Sequence, residues 1–413
     1  MRLLWLEMKR IIKSKRTLIL LAAALVLSVV MAWIPVIFVN ANQPNADGSI
    51  TELSGLQAIR FLRKYNLDFD GDVTQEKVAE ALRTYQDFVN QYGTLETGGY
   101  PLDEYFEKIY PIYPITRGLN EIYADPSIGT AIGLMEIDPD DVLQNYYERC
   151  ALHLNDVMQL EQKQHPAAQE NAAALYEKVS KPFTFANGIT RDAFDYTVFY
   201  TFFLVILCVA IAAPVFSGEY QSGADSILRC AKFGKAKLAI TKIVAYCLIF
   251  MVVYALGMAI HLLIMDAAFG FDRLKESFQL LYTIIALPDL NLGQTQIVCA
   301  LYGLISLLAC VGCTMLISAR CKEPLTVMII SVVVMLLPIF AYFGLGENWV
   351  SVLLPSGGLG LQNSILYQLL DFKFLHIGGI SIWTPYLLFA SALIEIPIFP
   401  FLAVRSYIKH QVT

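Results

Sequence analysis

The sequence predicts an all-α membrane protein with six transmembrane helices and a large, mainly helical insert between the first two. Three observations support this fold class: a high apolar content, six long apolar stretches and one long polar stretch after the first of them. The 413-residue chain is 56% hydrophobic and has a mean hydropathy of +0.53. Such a chain carries more apolar surface than a soluble fold of ordinary size buries.

Each of the six apolar stretches is long enough to cross the hydrocarbon core of a bilayer, which takes about 20 helical residues. Helix is expected because lipid offers the backbone no hydrogen-bond partner. The first stretch is too long for the core of a signal peptide and no small-x-small cleavage site precedes Asn40, so we expect it to be retained as an anchor. The predicted spans are 17–39, 196–216, 243–265, 297–319, 325–345 and 385–404.

The distribution of lysine and arginine predicts the orientation of the spans. With a cytoplasmic N-terminus, the inside segments 1–16, 217–242, 320–324 and 405–413 carry fifteen of these residues, whereas the short outside loops 266–296 and 346–384 carry three. The positive-inside rule therefore places both termini in the cytoplasm. Residues 40–195 then form an extracytoplasmic domain.

Charge also separates the insert from the rest of the chain. Residues 40–194 hold 24 acidic and 12 basic side chains, and the remainder holds 12 acidic and 18 basic ones. The basic residues lie beside apolar runs, where topology and anionic head groups explain them. No nucleic-acid-binding motif accompanies them, so we expect a lipid bilayer and no nucleic acid as partner.

Local signals within the insert favour helices. Thr74 and Pro139 each begin a run with apolar residues at helical spacing, and acidic residues lie in the first turn. Three alternating acids resemble the start of a calcium-binding loop, but Val73 and Ala79 stand where that loop needs glycine and glutamate. We therefore expect a solvated turn at Asp68, Asp70 and Asp72.

The cysteines indicate neither a disulfide framework nor a metal site. Of eight cysteines only Cys150 lies in the insert. Cys310 and Cys313 form a C-x-x-C inside an apolar run with no second pair and no nearby histidine, which favours helix packing over zinc. We predict no metal and no catalytic site.

The loop 217–242 is the most informative segment. It holds a glutamate, a glycine four residues later, an apolar stretch, a small residue followed by a basic one, and a lysine at the start of the third span: Glu219, Gly223, Leu228, Gly234, Lys235 and Lys242. In this pattern, and in its six spans and basic N-terminus, the chain resembles the permease subunits of the ABC type 2 export family. Many members have proline and serine-arginine where this chain has Phe233, Gly234 and Lys235. This difference weakens the assignment to a subfamily more than the assignment to the family.

The resemblance implies that this loop is a coupling helix that docks on a separate ATPase. The implied coupling residues are Glu219, Gly223, Ile227, Leu228, Arg229, Lys232, Lys235 and Lys242. The alternative is that its basic residues only hold the loop in the cytoplasm. Residues 1–16 would form an amphipathic connecting helix, which either touches the ATPase or simply lies at the membrane surface.

No G-x-x-x-x-G-K-[ST] motif is present, so ATP and Mg would bind to the partner chain, and this chain would bind no cofactor and catalyse no reaction. The resemblance implies two cytoplasmic ABC ATPase subunits and a second permease, identical or related, in the plasma membrane of a bacterium. It also implies short re-entrant helices in the outer loop 346–384.

Glu395 is the one carboxylate deep within a predicted span. Because a charge there usually faces protein or water, Glu395 is a candidate for the translocation path or the subunit seam, with a packing role as the alternative.

The function expected from this resemblance is export of an amphiphilic, drug-like or peptide-like substrate. One alternative is an ABC-driven mechanotransmitter, or an antibiotic-sensing or antibiotic-resistance complex, that acts on an envelope partner without transport. Another is an ion-coupled carrier, which a lone intramembrane acid and the lack of an internal repeat argue against.

Overall fold

The computed structural model of the protein describes residues 2–45, 47–96, 98–231 and 234–410. Within these ranges six helices are long and apolar enough to cross a membrane, which confirms the six predicted spans. From first to sixth they are Lys15–Phe38, Arg191–Ala212, Ala236–Phe269, Leu292–Ser318, Pro324–Leu345 and Thr384–Lys409.

The second and third spans are longer than their apolar cores. The second begins at Arg191, five residues before the first predicted position, because its polar first turn is held by the loop after the third span. There Arg191 Nε donates to the carbonyl oxygen of Leu281 at 2.8 Å. The third span extends from Ala236 to Phe269, well past both predicted ends, since a helix continues through polar residues once its backbone bonds are made.

The second and fourth spans form the centre of the bundle. In their most apolar windows 61% and 56% of residues are buried, against 22%, 22% and 17% for the first, fifth and sixth spans. The second span packs between the first and the fourth, the third against the first, and the sixth against the fourth. The outer three spans therefore leave wide apolar faces for lipid or another protein chain.

The N-terminal helix, Arg2–Lys13, is separate from the first span because Ser14 is extended. Trp5 points outward and is 65% exposed, whereas Ile11 is buried against the third span. Glu7 is also buried, and its carboxylate lies 2.8 Å from Arg10 Nη2 on the same helix.

The insert between the first two spans is mainly helical. Thr74 Oγ1 accepts from the backbone amide of Lys77, and Asp138 accepts from that of Asp140, so both predicted helix starts are confirmed. The two long helices pack against each other through residues such as Leu82. The helices of the insert are Leu56–Leu67, Gln75–Tyr92, Leu102–Glu104, the π-turn Tyr105–Ile109, Tyr113–Ile122, Pro139–Glu161 and Pro166–Tyr176.

A strictly all-α fold is not what the structure shows. Where the backbone is described, four antiparallel two-stranded pairs join segments outside the spans, because extended connections satisfy their backbone groups by pairing. The pairs are Asn40–Pro44 with Ile50–Ser54, Gly71–Val73 with Phe183–Phe185, Ala124–Asp125 with Thr130–Ala131, and Phe374–Ile377 with Ile380–Trp383.

The expectation of a solvated turn at the three aspartates was wrong for Asp70. Its carboxylate accepts from Arg273 Nη1 at 2.6 Å, and the Arg273 side chain is 1% exposed. Asp272 accepts from Arg273 Nε at 2.9 Å. This ion pair fastens the insert to the loop after the third span, a contact between residues about two hundred positions apart that no local pattern reveals.

Short elements close the outer loops. The loop after the third span holds the 3₁₀ turn Phe271–Lys275 and the helix Phe278–Leu281. The loop after the fifth span holds two short helices, Trp349–Leu353 and Ile365–Leu370. Short helices were expected in the latter loop, and their depth in a membrane stays a prediction.

Candidate functional site

The segment after the second span folds into two short helices at a sharp turn. Pro214–Ser222 continues the second span past Ala213, and Ala224–Cys230 follows in a new direction. Gly223 lies between them in the left-handed region, with φ of 71°, which favours glycine. We call Ala224–Cys230 the loop helix.

An ion network holds the base of this segment. Glu219 Oε1 forms a close ion pair with Lys242 Nζ and accepts from Arg10 Nη1 at 3.1 Å. Arg10 Nη2 lies 2.8 Å from Glu7 Oε2. Burial lowers the pKa of Arg10, but Glu7 and Glu219 outweigh that effect, so its pKa is raised overall. The network joins the N-terminal helix, the end of the second span and the start of the third.

Glu219 and Lys242 are therefore internal. The Lys242 side chain is 0% exposed and also lies 5.6 Å from the ring centroid of Phe216. A buried pair of this kind can position the loop helix but cannot itself contact another protein.

Arg229 fixes the loop helix to the end of the sixth span. Its Nη1 donates to the carbonyl oxygen of His410 at 2.8 Å, its Nη2 donates to that of Tyr407, and its guanidinium lies over the Tyr407 ring at 4.6 Å. Asp225 lies 3.8 Å away on the same helix. Because the Arg229 side chain is only 9% exposed, it is a positioning residue and is not placed for direct contact with a partner.

The exposed side of the loop helix is apolar. Ile227 is 76% exposed and Leu228 is half-buried, and Lys235 is exposed just before the third span. Lys232 lies outside the described residues. The predicted coupling set thus divides into internal residues that position the helix and outward residues that are free to meet a partner.

Gly234 allows the chain to pass close to the backbone of the loop helix, because no side chain fits at its position. A Cβ there would lie 1.7 Å from the carbonyl oxygen of Leu228 and 2.9 Å from Cα of Arg229. The Tyr407 hydroxyl lies 3.4 Å from the Gly234 carbonyl oxygen. The chain after the loop helix is thus packed directly on its backbone.

Glu395 lies on a different part of the bundle. It is half-buried in the sixth span, and its carboxylate lies near Cys310 and Cys313 of the fourth span. Its Oε2 is buried and has no hydrogen-bond partner in the described part of the chain. Cys310 donates instead to the carbonyl oxygen of Pro355 at 3.3 Å.

Comparison with known families supplies the deciding observation. A family model described as "ABC-2 family transporter protein" matches residues 15–361, which is most of the chain. The chain belongs to this family. No curated protein matches it. Membership makes this ABC-2 protein a multi-pass membrane transport subunit that works with an ABC ATPase.

Sequence reasoning missed two parts of the site in this ABC-2 protein. It found Glu219 and Lys242 but not Arg10 and Glu7, although an acid and a base three residues apart on one amphipathic helix are a visible signal of pairing. It also missed the sixth-span carbonyl groups that accept from Arg229, for which the sequence carries no signal because main-chain acceptors exist at every residue.

Proposed function

We propose that this ABC-2 protein is the permease of an ATP-binding-cassette exporter and that the loop helix receives the movement of a separate ATPase. The observation that carries the proposal is the 76% exposed Ile227 on a short helix that Arg229 fixes to the sixth span. The helix just before it is fixed in turn by Glu219 to the third span and to the N-terminal helix. The exposed Ile227 side chain, next to the half-buried Leu228, can insert into a hydrophobic groove on a partner protein.

The fixed side gives the movement a path into the spans. Arg229 connects the loop helix to the sixth span, Lys242 connects its base to the third, and Arg10 adds the N-terminal helix. Because packed protein deforms little, a push on Ile227 moves these elements together rather than being absorbed in the loop.

The proposal includes an orientation and an assembly. Both termini face the cytoplasm of a bacterium, residues 40–195 lie outside, and ATP and Mg bind to two cytoplasmic ATPase subunits. The apolar faces of the first, fifth and sixth spans support pairing with a second permease. Glu395, with its unpartnered oxygen, is the proposed residue at the translocation path or the seam. The proposed cargo is amphiphilic, drug-like or peptide-like.

The docking step is tested with Ile227→Asp in the native membrane. We expect the variant to lose most of the cassette ATPase that copurifies with the wild type, because a carboxylate cannot enter an apolar groove without a partner. Ile50→Asp is the matched control, since Ile50 is also exposed but lies in the insert. Equal ATPase recovery with Ile227→Asp and wild type, at equal membrane abundance, refutes docking through this helix.

Transport is tested separately in liposomes that contain the permease and its ATPase. ATP-dependent accumulation of cargo supports export. Hydrolysis of ATP that depends on the permease, without accumulation of any cargo tested, favours the mechanotransmitter, whose extracytoplasmic insert would act on an envelope partner.

A further inference from the structure

A cavity of about 370 Å³ lies where the insert meets the spans, at the opposite end of the bundle from the loop helix. Val39, just after the first span, Thr190, just before the second, and Phe269, at the end of the third, all line it. The cavity therefore opens at the level where three spans leave the membrane. In the proposed orientation this is the head-group layer of the outer leaflet.

Two arginines line one side of this cavity at close quarters. Arg117 Nη1 and Arg191 Nη2 donate to the same carbonyl oxygen, that of Tyr282, the latter at 3.0 Å. Arg117 also donates to the carbonyl oxygen of Leu280. Among the described residues neither guanidinium has a carboxylate oxygen within 4.0 Å. Two like charges are thus held together in a partly buried place, and within the described ranges no carboxylate is in direct contact with either of them.

Three acids interact with this pair at longer range, namely Glu121, Asp195 and Glu276. Glu276 is buried, its two carboxylate oxygens have no hydrogen-bond partner among the described residues, and burial raises its pKa to about 8. Glu121 accepts from the Thr283 hydroxyl and from the backbone amide of Ile284 at 3.2 Å, and burial raises its pKa. Asp195 accepts from the Tyr367 hydroxyl at 3.0 Å. The remaining N–H groups of the two arginines are free to bind an anion that enters the cavity.

Unpartnered polar atoms mark the same cavity independently. The Asn66 side chain is 1% exposed, its Nδ2 donates to the carbonyl oxygen of Asn187 at 3.2 Å, and its Oδ1 has no hydrogen-bond partner within the described ranges. The buried Thr190 Oγ1 is likewise without a partner there. Because buried polar atoms are almost always hydrogen-bonded, these two atoms point to a polar ligand.

The rest of the lining is mixed, with Arg63, Tyr110, Tyr113 and Asn187 beside an apolar part. Ile59, Leu62 and Phe269 face the same space as the arginines, so one ligand would meet a charged end and an apolar end. The volume lies at the lower end of the roughly 300–1,000 Å³ usual for ligand pockets. It suits a head group with part of one acyl chain rather than a complete two-chain lipid.

We propose that this cavity binds an amphiphile whose head group carries a phosphate, with the phosphate on Arg117 and Arg191 and the chain along Leu62 and Phe269. Asn66 and Thr190 would bind hydroxyl groups of the same head group. Binding at this place requires no ATPase, so the inference goes beyond the proposed function. It uses the proposed orientation only to name the outer leaflet.

The test uses the purified full chain in a neutral sugar detergent and dodecyl phosphate as probe, with bound mass and occupancy read by native mass spectrometry. Because the neutral detergent competes for apolar surface throughout, the occupancy by dodecyl phosphate measures how strongly the protein prefers its charged head group to a neutral one. Inorganic phosphate is titrated separately, because the same arginines would also bind the free anion. We expect saturable binding of one dodecyl phosphate and much weaker binding of inorganic phosphate.

Three variants locate the binding. Arg191→Gln removes one guanidinium and should weaken binding about tenfold, the loss expected for one charge-assisted contact. Leu62→Trp fills the apolar end and should weaken binding without any change in charge. Arg83→Gln is the matched control, because Arg83 is a half-exposed arginine of the same insert that pairs with Asp140 on its surface.

Equal binding of dodecyl phosphate by the control, by Arg191→Gln and by Leu62→Trp overturns the proposal. Inorganic phosphate that binds as tightly as dodecyl phosphate overturns it too, since the chain would then contribute nothing. If Arg191→Gln fails to fold, the proposal is still tested by Leu62→Trp and by the comparison of dodecyl phosphate with inorganic phosphate. Failure here leaves ATPase docking untouched, because none of these variants lies near the loop helix.

Discussion

Replacement of Lys242 by methionine tests the ion network at the base of the loop helix. Methionine keeps much of the length and the apolar stem of lysine but removes the charge that pairs with Glu219. In the variant the buried Glu219 carboxylate keeps, among the described residues, Arg10 as its ion-pair partner, at 3.1 Å and on a half-exposed side chain. The converse variant, Glu219→Gln, leaves the fully buried Lys242 with no described carboxylate in direct contact.

The structure sets the size of both effects. Removal of one partner from a buried ion pair costs about 3–5 kcal/mol in free energy of unfolding. Because Arg10 still neutralises Glu219, we expect Lys242→Met to lose less, about 2 kcal/mol, and Glu219→Gln to lose the full amount. The double variant should lose clearly less than the sum, since neither charge is then left alone.

The assay is a double-mutant cycle on the free energy of unfolding, measured by steric trapping in bicelles. Lys108→Met is the control, because Lys108 pairs with Glu104 on an exposed helix and such pairs contribute less than about 1 kcal/mol. The role given to this network would be refuted if Lys242→Met and Glu219→Gln each lowered the free energy of unfolding by no more than the control does. Their effects would then also be additive in the double variant.

Two further predictions concern other buried features. Burial raises the pKa of Glu276 from 4.5 to about 8, so the free energy of unfolding should fall as pH rises from 4.5 to 8, by at most roughly 5 kcal/mol at 1.36 kcal/mol per unit. Glu276→Gln should abolish that decline in thermal unfolding between pH 5 and pH 8, and a decline of unchanged size would contradict it. Gly234→Ala should displace the loop helix, because its methyl group would meet the Leu228 carbonyl. ATPase recovery should therefore fall with Gly234→Ala but not with Gly344→Ala, where a Cβ meets nothing.

The spans could be predicted from the sequence because lipid imposes a rule that acts locally. Every residue of the fourth span must satisfy its backbone within the helix and its side chain in an apolar medium, so a hydropathy window alone finds it. The window fails at the start of the second span, where Arg191 is polar yet helical because loop carbonyls accept its N–H groups. The ends of the spans thus depend on tertiary contacts, which a hydropathy window does not take into account.

The candidate site was only half predictable for the same reason. A family pattern identifies Glu219, Lys242 and Arg229 as members of one loop, but not which of them face inward. That division depends on Arg10 and on the Tyr407 carbonyl, which lie about two hundred positions away in sequence. Asp70 is a second example. The sequence predicts a solvated turn at three nearby aspartates, and only the fold shows that Arg273 binds the Asp70 carboxylate.

Site-specific photo-cross-linking from position 227 tests the central claim most directly. A photoreactive phenylalanine analogue in place of Ile227, activated in intact cells, should give an adduct with a cassette ATPase that mass spectrometry can identify. The same analogue in place of Ile128, an exposed isoleucine of the insert, should give none. An adduct with the ATPase from position 128, or its absence from position 227 while the complex still copurifies, would contradict the account.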